Sequence, residues 1–363
     1  GCFYISGWIR EIGHIRSFAA GAAICIASTL SFALSENEAL LLFVRFTTGV
    51  ATAGLFAIGD AWISDTAKEA TRGRLLAAYA TVLGLMSVGS QLMIQILPDE
   101  LNEGFIVISL LYCVAIAVLT AARSDPPTGD CSANVRLLYL FRNSPTAWIG
   151  AFVVGMVSTT LLNVFPYRAA VLGIDPKDIA LTIGALYLGR ILFLYPVGAA
   201  SDRGDRRTIV LINSAVASAL LLYIAIAGTG DGAAFKAISG TIWFPVMLVS
   251  FAFLGGALLT LYSVLAAHAM DRTPPVYVAS ASVTMLFVTT LGAIAGPLLA
   301  SAASAFLGDA SVAWLNFAMM AFFVGLVGVR LLAREATPGA EKTGHQVAGT
   351  TSVEVVPADK EKG

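Results

Sequence analysis

Ten apolar runs, each roughly 19 or more residues long, follow one another with mostly short polar connections between them. They cover 15–34, 39–63, 75–97, 104–122, 146–166, 179–200, 208–227, 241–268, 278–304 and 312–333. At 1.5 Å rise per residue, a helix of about 20 residues crosses the ~30 Å hydrocarbon core of a bilayer. Composition agrees: apolar residues make up 57% and charged residues 12%, about half the charge of a soluble domain. The expected class is an all-α polytopic membrane protein. Residues 1–9 read as the end of one further span. Glycine and proline inside the runs, as in Gly292-Ala-Ile-Ala-Gly296-Pro297, fit membrane helices, whose neighbours replace the lost contacts.

The turn Gly198-Ala-Ala-Ser-Asp-Arg-Gly-Asp-Arg-Arg207 packs five charges between two such runs. It cannot lie in hydrocarbon, and its three arginines assign it to the cytoplasmic surface. Alternate connections test that assignment. On the proposed inside, including the tail, there are seventeen Lys and Arg, against Arg168, Lys177 and Lys236 outside. Only Arg45 and Arg190 lie within spans. The C terminus is therefore expected inside, on the cytoplasmic face of the membrane.

Other classes are disfavoured. A net charge of −1 offers no basic face for nucleic acid. Cys2, Cys25, Cys113 and Cys131 lack metal-ligand or disulfide spacing. No Gly-x-x-x-x-Gly-Lys-Ser/Thr loop binds nucleotide, and no nucleophile stands with its base. No cofactor, metal or enzymatic activity is expected. The organisation expected is an amino-terminal bundle over 1–122, a cytoplasmic linker over 123–145, a carboxy-terminal bundle over 146–334 and a disordered tail over 335–363. Within the linker, 135–141 reads as a short amphipathic helix at the interface.

The turn resembles the inner-loop signature of the major facilitator superfamily, roughly Gly-x-Leu-x-Asp-Arg-x-Gly-Arg-Arg. Gly198, Ala200, Asp202, Arg203, Arg206 and Arg207 match it, with Asp205 in the second glycine position. A weaker first copy keeps Gly13, His14 and Arg16, while Arg10 and Glu11 stand where Asp and Arg are usual. Arg45-Phe-Thr-Thr-Gly49 resembles the span-four pattern, and Gly296-Pro297 the pattern of span five, its structural repeat, on span eleven. Asp60-Ala-Trp62, Arg72-Gly-Arg74, Ser144-Pro145, Leu261-Tyr-Ser263 and Asp271 are similar to a branch of little-characterised bacterial facilitators. The resemblance covers about residues 5–333. It implies two pseudo-symmetric six-helix bundles around a central cavity, with alternating access by rocking. It also implies that the first span and most of the second lie upstream of Gly1.

The implied function is secondary active transport of a small organic solute by a monomer. Proton-coupled efflux, uniport, uptake of an anionic metabolite and a non-transporting receptor remain open. Gly198, Asp202, Arg203, Asp205, Arg206 and Arg207, with Gly13, Arg16, Asp60, Arg72 and Arg74, are the candidate cytoplasmic gate. The alternative is a solvated loop that only fixes orientation. Arg190, near mid-membrane, is the main candidate for substrate or proton coupling, because a charge there is costly; a structural arginine is the alternative. Tyr187 and Asn163 are candidate polar lining or helix–helix contacts. Arg45 either lines the cavity or snorkels to the interface. Asp60, about 22 Å further along the same helix, is out of its reach.

Overall fold

The structure, a computed structural model, describes residues 14–66, 72–97, 101–121, 135–227, 238, 241–274, 277–308 and 310–333. The helices are α1 (His14–Leu34), α2 (Glu38–Thr66), α3 (Arg72–Met93), α4 (Leu101–Ala121) and α5 (Leu137–Asn143). They continue as α6 (Pro145–Val171), α7 (Pro176–Arg203), α8 (Arg206–Ile226), α9 (Phe244–Met270), α10 (Val278–Leu307) and α11 (Ser311–Ala333). Among the described residues, nine of these are long and apolar enough to span a membrane. The run at 75–97 is the exception: α3 stops at Met93, and its apolar part, Ala78–Met93, is shorter. Arg72, Arg74, Ser87, Ser90 and Gln91 dilute it. The short helix expected at 135–141 is α5.

The run at 146–166 also ends later than its composition suggests. It continues to Val171 through a π-helical turn at Thr160–Val164, where the Phe165 N–H reaches back five residues to the Thr160 carbonyl. Pro166 is the local cause, since it has no N–H to continue the four-residue ladder.

The described helices fall into two compact units. The first holds α1, α2, the first residues of α3, and α4. There α1 packs between α2 and α4. Ala22 and Cys25 are buried, the Cys25 thiol lies 3.7 Å from Thr52 Oγ1, and Phe32 stacks on Phe105 at 6.1 Å. The second unit holds residues 77–95 of α3 and α5 to α11; the sequence had grouped that part of α3 with the amino-terminal bundle. Its centre is α9, which packs on α7, α8 and α6, while α10 lies along α6 and α11 along α8. Lipid gives helices no hydrophobic reason to associate, so small residues that let backbones approach carry the packing. A Cβ on Gly189 would overlap the Ala252 carbonyl, and one on Gly255 the Leu186 carbonyl, so these two glycines set the α7–α9 crossing. The Arg136 guanidinium sits 4.7 Å over the Tyr277 ring, and its amide donates to Thr284 Oγ1 at 2.9 Å, tying the entry of α5 to α10.

Candidate functional site

The charged turn forms as the sequence chemistry requires. α7 ends at Arg203, and the Gly204 N–H donates to the Ala200 carbonyl at 2.9 Å. Asp205 then caps α8, its carboxylate accepting from the Arg207 amide at 3.0 Å. A carboxylate there satisfies an orphan donor and meets the positive end of the helix. This explains aspartate where the superfamily pattern has glycine. The Arg207 guanidinium folds back onto the same carboxylate at 3.3 Å.

Arg206 is the centre of the cluster. It is 2% exposed, and its Nε lies 2.7 Å from Oδ2 of Asp271, which is 3% exposed. Its Nη1 lies 3.5 Å from Oδ1 of Asp202, one turn back on α7. Asp271 stands just past the end of α9, so the pair clasps the start of α8 to the end of α9. Breaking one side of such a buried pair costs about 3–5 kcal/mol, because the other charge stays buried without compensation. His268, one turn before Asp271 and itself buried, lies in the same electrostatic neighbourhood as Asp271, Arg272, Arg207 and Asp205.

Of the remaining gate candidates in the turn, Gly198 is buried on α7 and Arg203 is exposed. Arg16 is exposed on the first turn of α1. Gly13 and the side chains of Asp60, Arg72 and Arg74 lie outside the described residues. Sequence reasoning set His268 and Asp271 together at the end of a span but missed the partnership of Asp271 with Arg206. The signal available was Asp271 itself, a motif residue just past the end of a span.

The mid-span candidates separate. Arg190 and Tyr187 are half-buried, lie one turn apart on α7 and interact electrostatically. Asn163 sits in the π-helical turn of α6, and its amide donates to the Thr159 carbonyl at 3.1 Å. Arg45 is exposed on α2, in the first unit. A cavity of about 470 Å³ between α1 and α2, lined by residues such as Gly21, Ser28, Val44 and Ala51, includes none of these candidates.

Long apolar helices with a buried ionic clasp at a span terminus define a polytopic, all-helical membrane protein. A profile of the Major Facilitator Superfamily matches residues 147–358, more than half of the chain, and the chain belongs to that family of membrane transporters. It is similar to the uncharacterized MFS-type transporter YfkF of Bacillus subtilis, 23% identical over 80% of this chain and 72% of that protein. A Yersinia enterocolitica MFS-type transporter is 26% identical over 81% and 73%. One from Enterobacter sp. strain 638 is 23% identical over 92% and 83%. The fold resembles a crystal structure of the E. coli fucose:proton symporter FucP, with a TM-score of 0.50 at 13% identity over 89% of this chain and 86% of that one.

Proposed function

We propose that this chain carries out secondary active transport of a small organic solute by alternating access, with the 198–207 turn as its cytoplasmic gate element. The observation that carries this reading is the Arg206–Asp271 pair. Both charges are buried at the junction of two spans, beside an Asp202 that is 39% exposed. Arg206 holds the turn to its own unit through Asp271, while Asp202 and Arg203 remain at its surface. Contacts made there, worth about 1 kcal/mol or less each when exposed, are weak enough to exchange as the transporter opens and closes.

The lysine and arginine distribution supports placing the turn and the C terminus on the cytoplasmic side of a bacterial inner membrane. A proton is the coupling ion to test first, because the E. coli fold relative is named as a proton symporter. The test is flux of labelled solutes in proteoliposomes under an imposed pH gradient, with wild type beside Asp271→Asn. Gradient-driven flux that falls at least tenfold in the variant, with the protein still inserted, is expected. Ligand binding without flux in the wild type would instead favour a receptor.

A further inference from the structure

Arg190 lies 14 residues from the first residue of α7 and 13 from the last, about 20 Å from either end. Helical spacing aligns it with Ile183, Tyr187, Leu194 and Val197. Ile183 belongs to the buried core of the second unit, and Tyr187 and Val197 pack against it. The exposed apolar stripe of α7, at Leu188, Leu192 and Tyr195, points elsewhere. So do Gly184 and Ile191 at the α3 contact, whereas Leu186 at the α9 contact, one turn before Arg190, flanks it on the same side. Arg190 therefore does not face lipid, and being only half-buried it is not sealed in the core.

It also differs from its fellow arginines. Arg206 and Arg207 have carboxylates, Arg168 donates to Ser304 Oγ at 2.7 Å, and Arg136 has the Tyr277 ring. Among the described residues no carboxylate pairs with Arg190; its electrostatic neighbour is Tyr187. A cation at membrane depth without a counter-charge is costly, and such residues mark substrate and ion pathways.

We infer that the Arg190 flank of α7 is an anion subsite that takes the carboxylate of a monoanionic organic acid with an apolar body. One guanidinium matches one carboxylate, with two parallel hydrogen bonds available; a dianionic phosphate calls for a second cation. The Tyr187 hydroxyl, one turn away, is a neutral donor. Ile183, Leu194 and Val197 supply apolar wall. The inference deepens the transport reading and rests on it, since it names the class of solute carried.

The test is equilibrium binding to the purified full-length chain in detergent, using benzoate and hexanoate beside their neutral isosteres, benzamide and hexanamide. Both carboxylates are expected to bind and raise the unfolding midpoint, and neither amide should. Arg190→Gln should weaken carboxylate binding about tenfold to a hundredfold, and Tyr187→Phe about threefold. If Arg190→Gln does not fold, the acid–amide difference in the wild type decides, with Tyr187→Phe as the positional check. Equal binding of acids and amides, no carboxylate binding at millimolar concentration, or unchanged affinity in Arg190→Gln overturns the subsite. Because binding is read without flux, its failure is separable from failure of transport. Carboxylate binding with no flux would sink the transport reading alone. Flux of a neutral solute unaffected by Arg190→Gln would sink the subsite alone.

Discussion

Two helices built alike end up in different surroundings. In the first unit α1 packs between α2 and α4; in the second, α8 packs between α9 and α11, in the same chain order. Yet 56% of the apolar window of α9 is buried, against 22% for α2, although their mean hydropathies are 2.1 and 1.7. Hydropathy does not explain the difference. α4 has the highest mean hydropathy of the spans, 2.5, and only 6% of its window is buried, while α6, at 1.7, reaches 56%. Apolar character puts a helix in the membrane, and small residues then decide which faces meet. α9 meets α7 through Gly255 and Gly189, whereas a Cβ on Gly49 of α2 would touch nothing within 4 Å.

The comparison can be broken first at the clasp. Asp271→Ala should destabilise the second unit by about 3–5 kcal/mol, read as unfolding in detergent, whereas Arg16→Ala, at the start of α1, should stay within about 0.5 kcal/mol. Equal effects would mean that burial of the ion pair has no consequence. Next come the glycines, where the sign itself should differ. Gly189→Ala forces a methyl against a backbone carbonyl and should lose about 1–3 kcal/mol; Gly49→Ala fills open space and should gain up to about 1 kcal/mol of helix propensity. A loss at both sites would undo the contrast. Asp205→Ala, which removes the cap of α8, should lose about 1 kcal/mol, and Asp205→Asn should recover most of it.

What could be read from the chain alone follows from the range of each signal. Spans and their charged turns are one-dimensional: twenty apolar residues and a run such as Asp202 to Arg207 announce themselves without tertiary information. The capping role of Asp205 is local in the same way. The partnership of Arg206 with Asp271 is not, because it depends on the end of α9 folding back to the start of α8, far along the chain. The extension of α6 to Val171 was obscured because Arg168 reads as part of an outer connection, whereas the helix runs on through it after a π-helical turn. The grouping of residues 77–95 with the second unit rests on Gly84 against Ile191 and on Gln95 Nε2 donating to the Lys177 carbonyl at 2.8 Å. No periodicity encodes contacts between such distant segments.

Transport by alternating access requires that the middle of α7 open to each side of the membrane in turn. The direct measurement is the reactivity of a cysteine at Tyr187, in a chain whose Cys2, Cys25, Cys113 and Cys131 are replaced by serine, toward an impermeant thiol reagent. It is applied to right-side-out and inside-out vesicles. Labelling from both faces is expected, with Asp271→Asn raising the cytoplasmic rate. Labelling from one face only, unmoved by Asp271→Asn, would contradict a gated carrier.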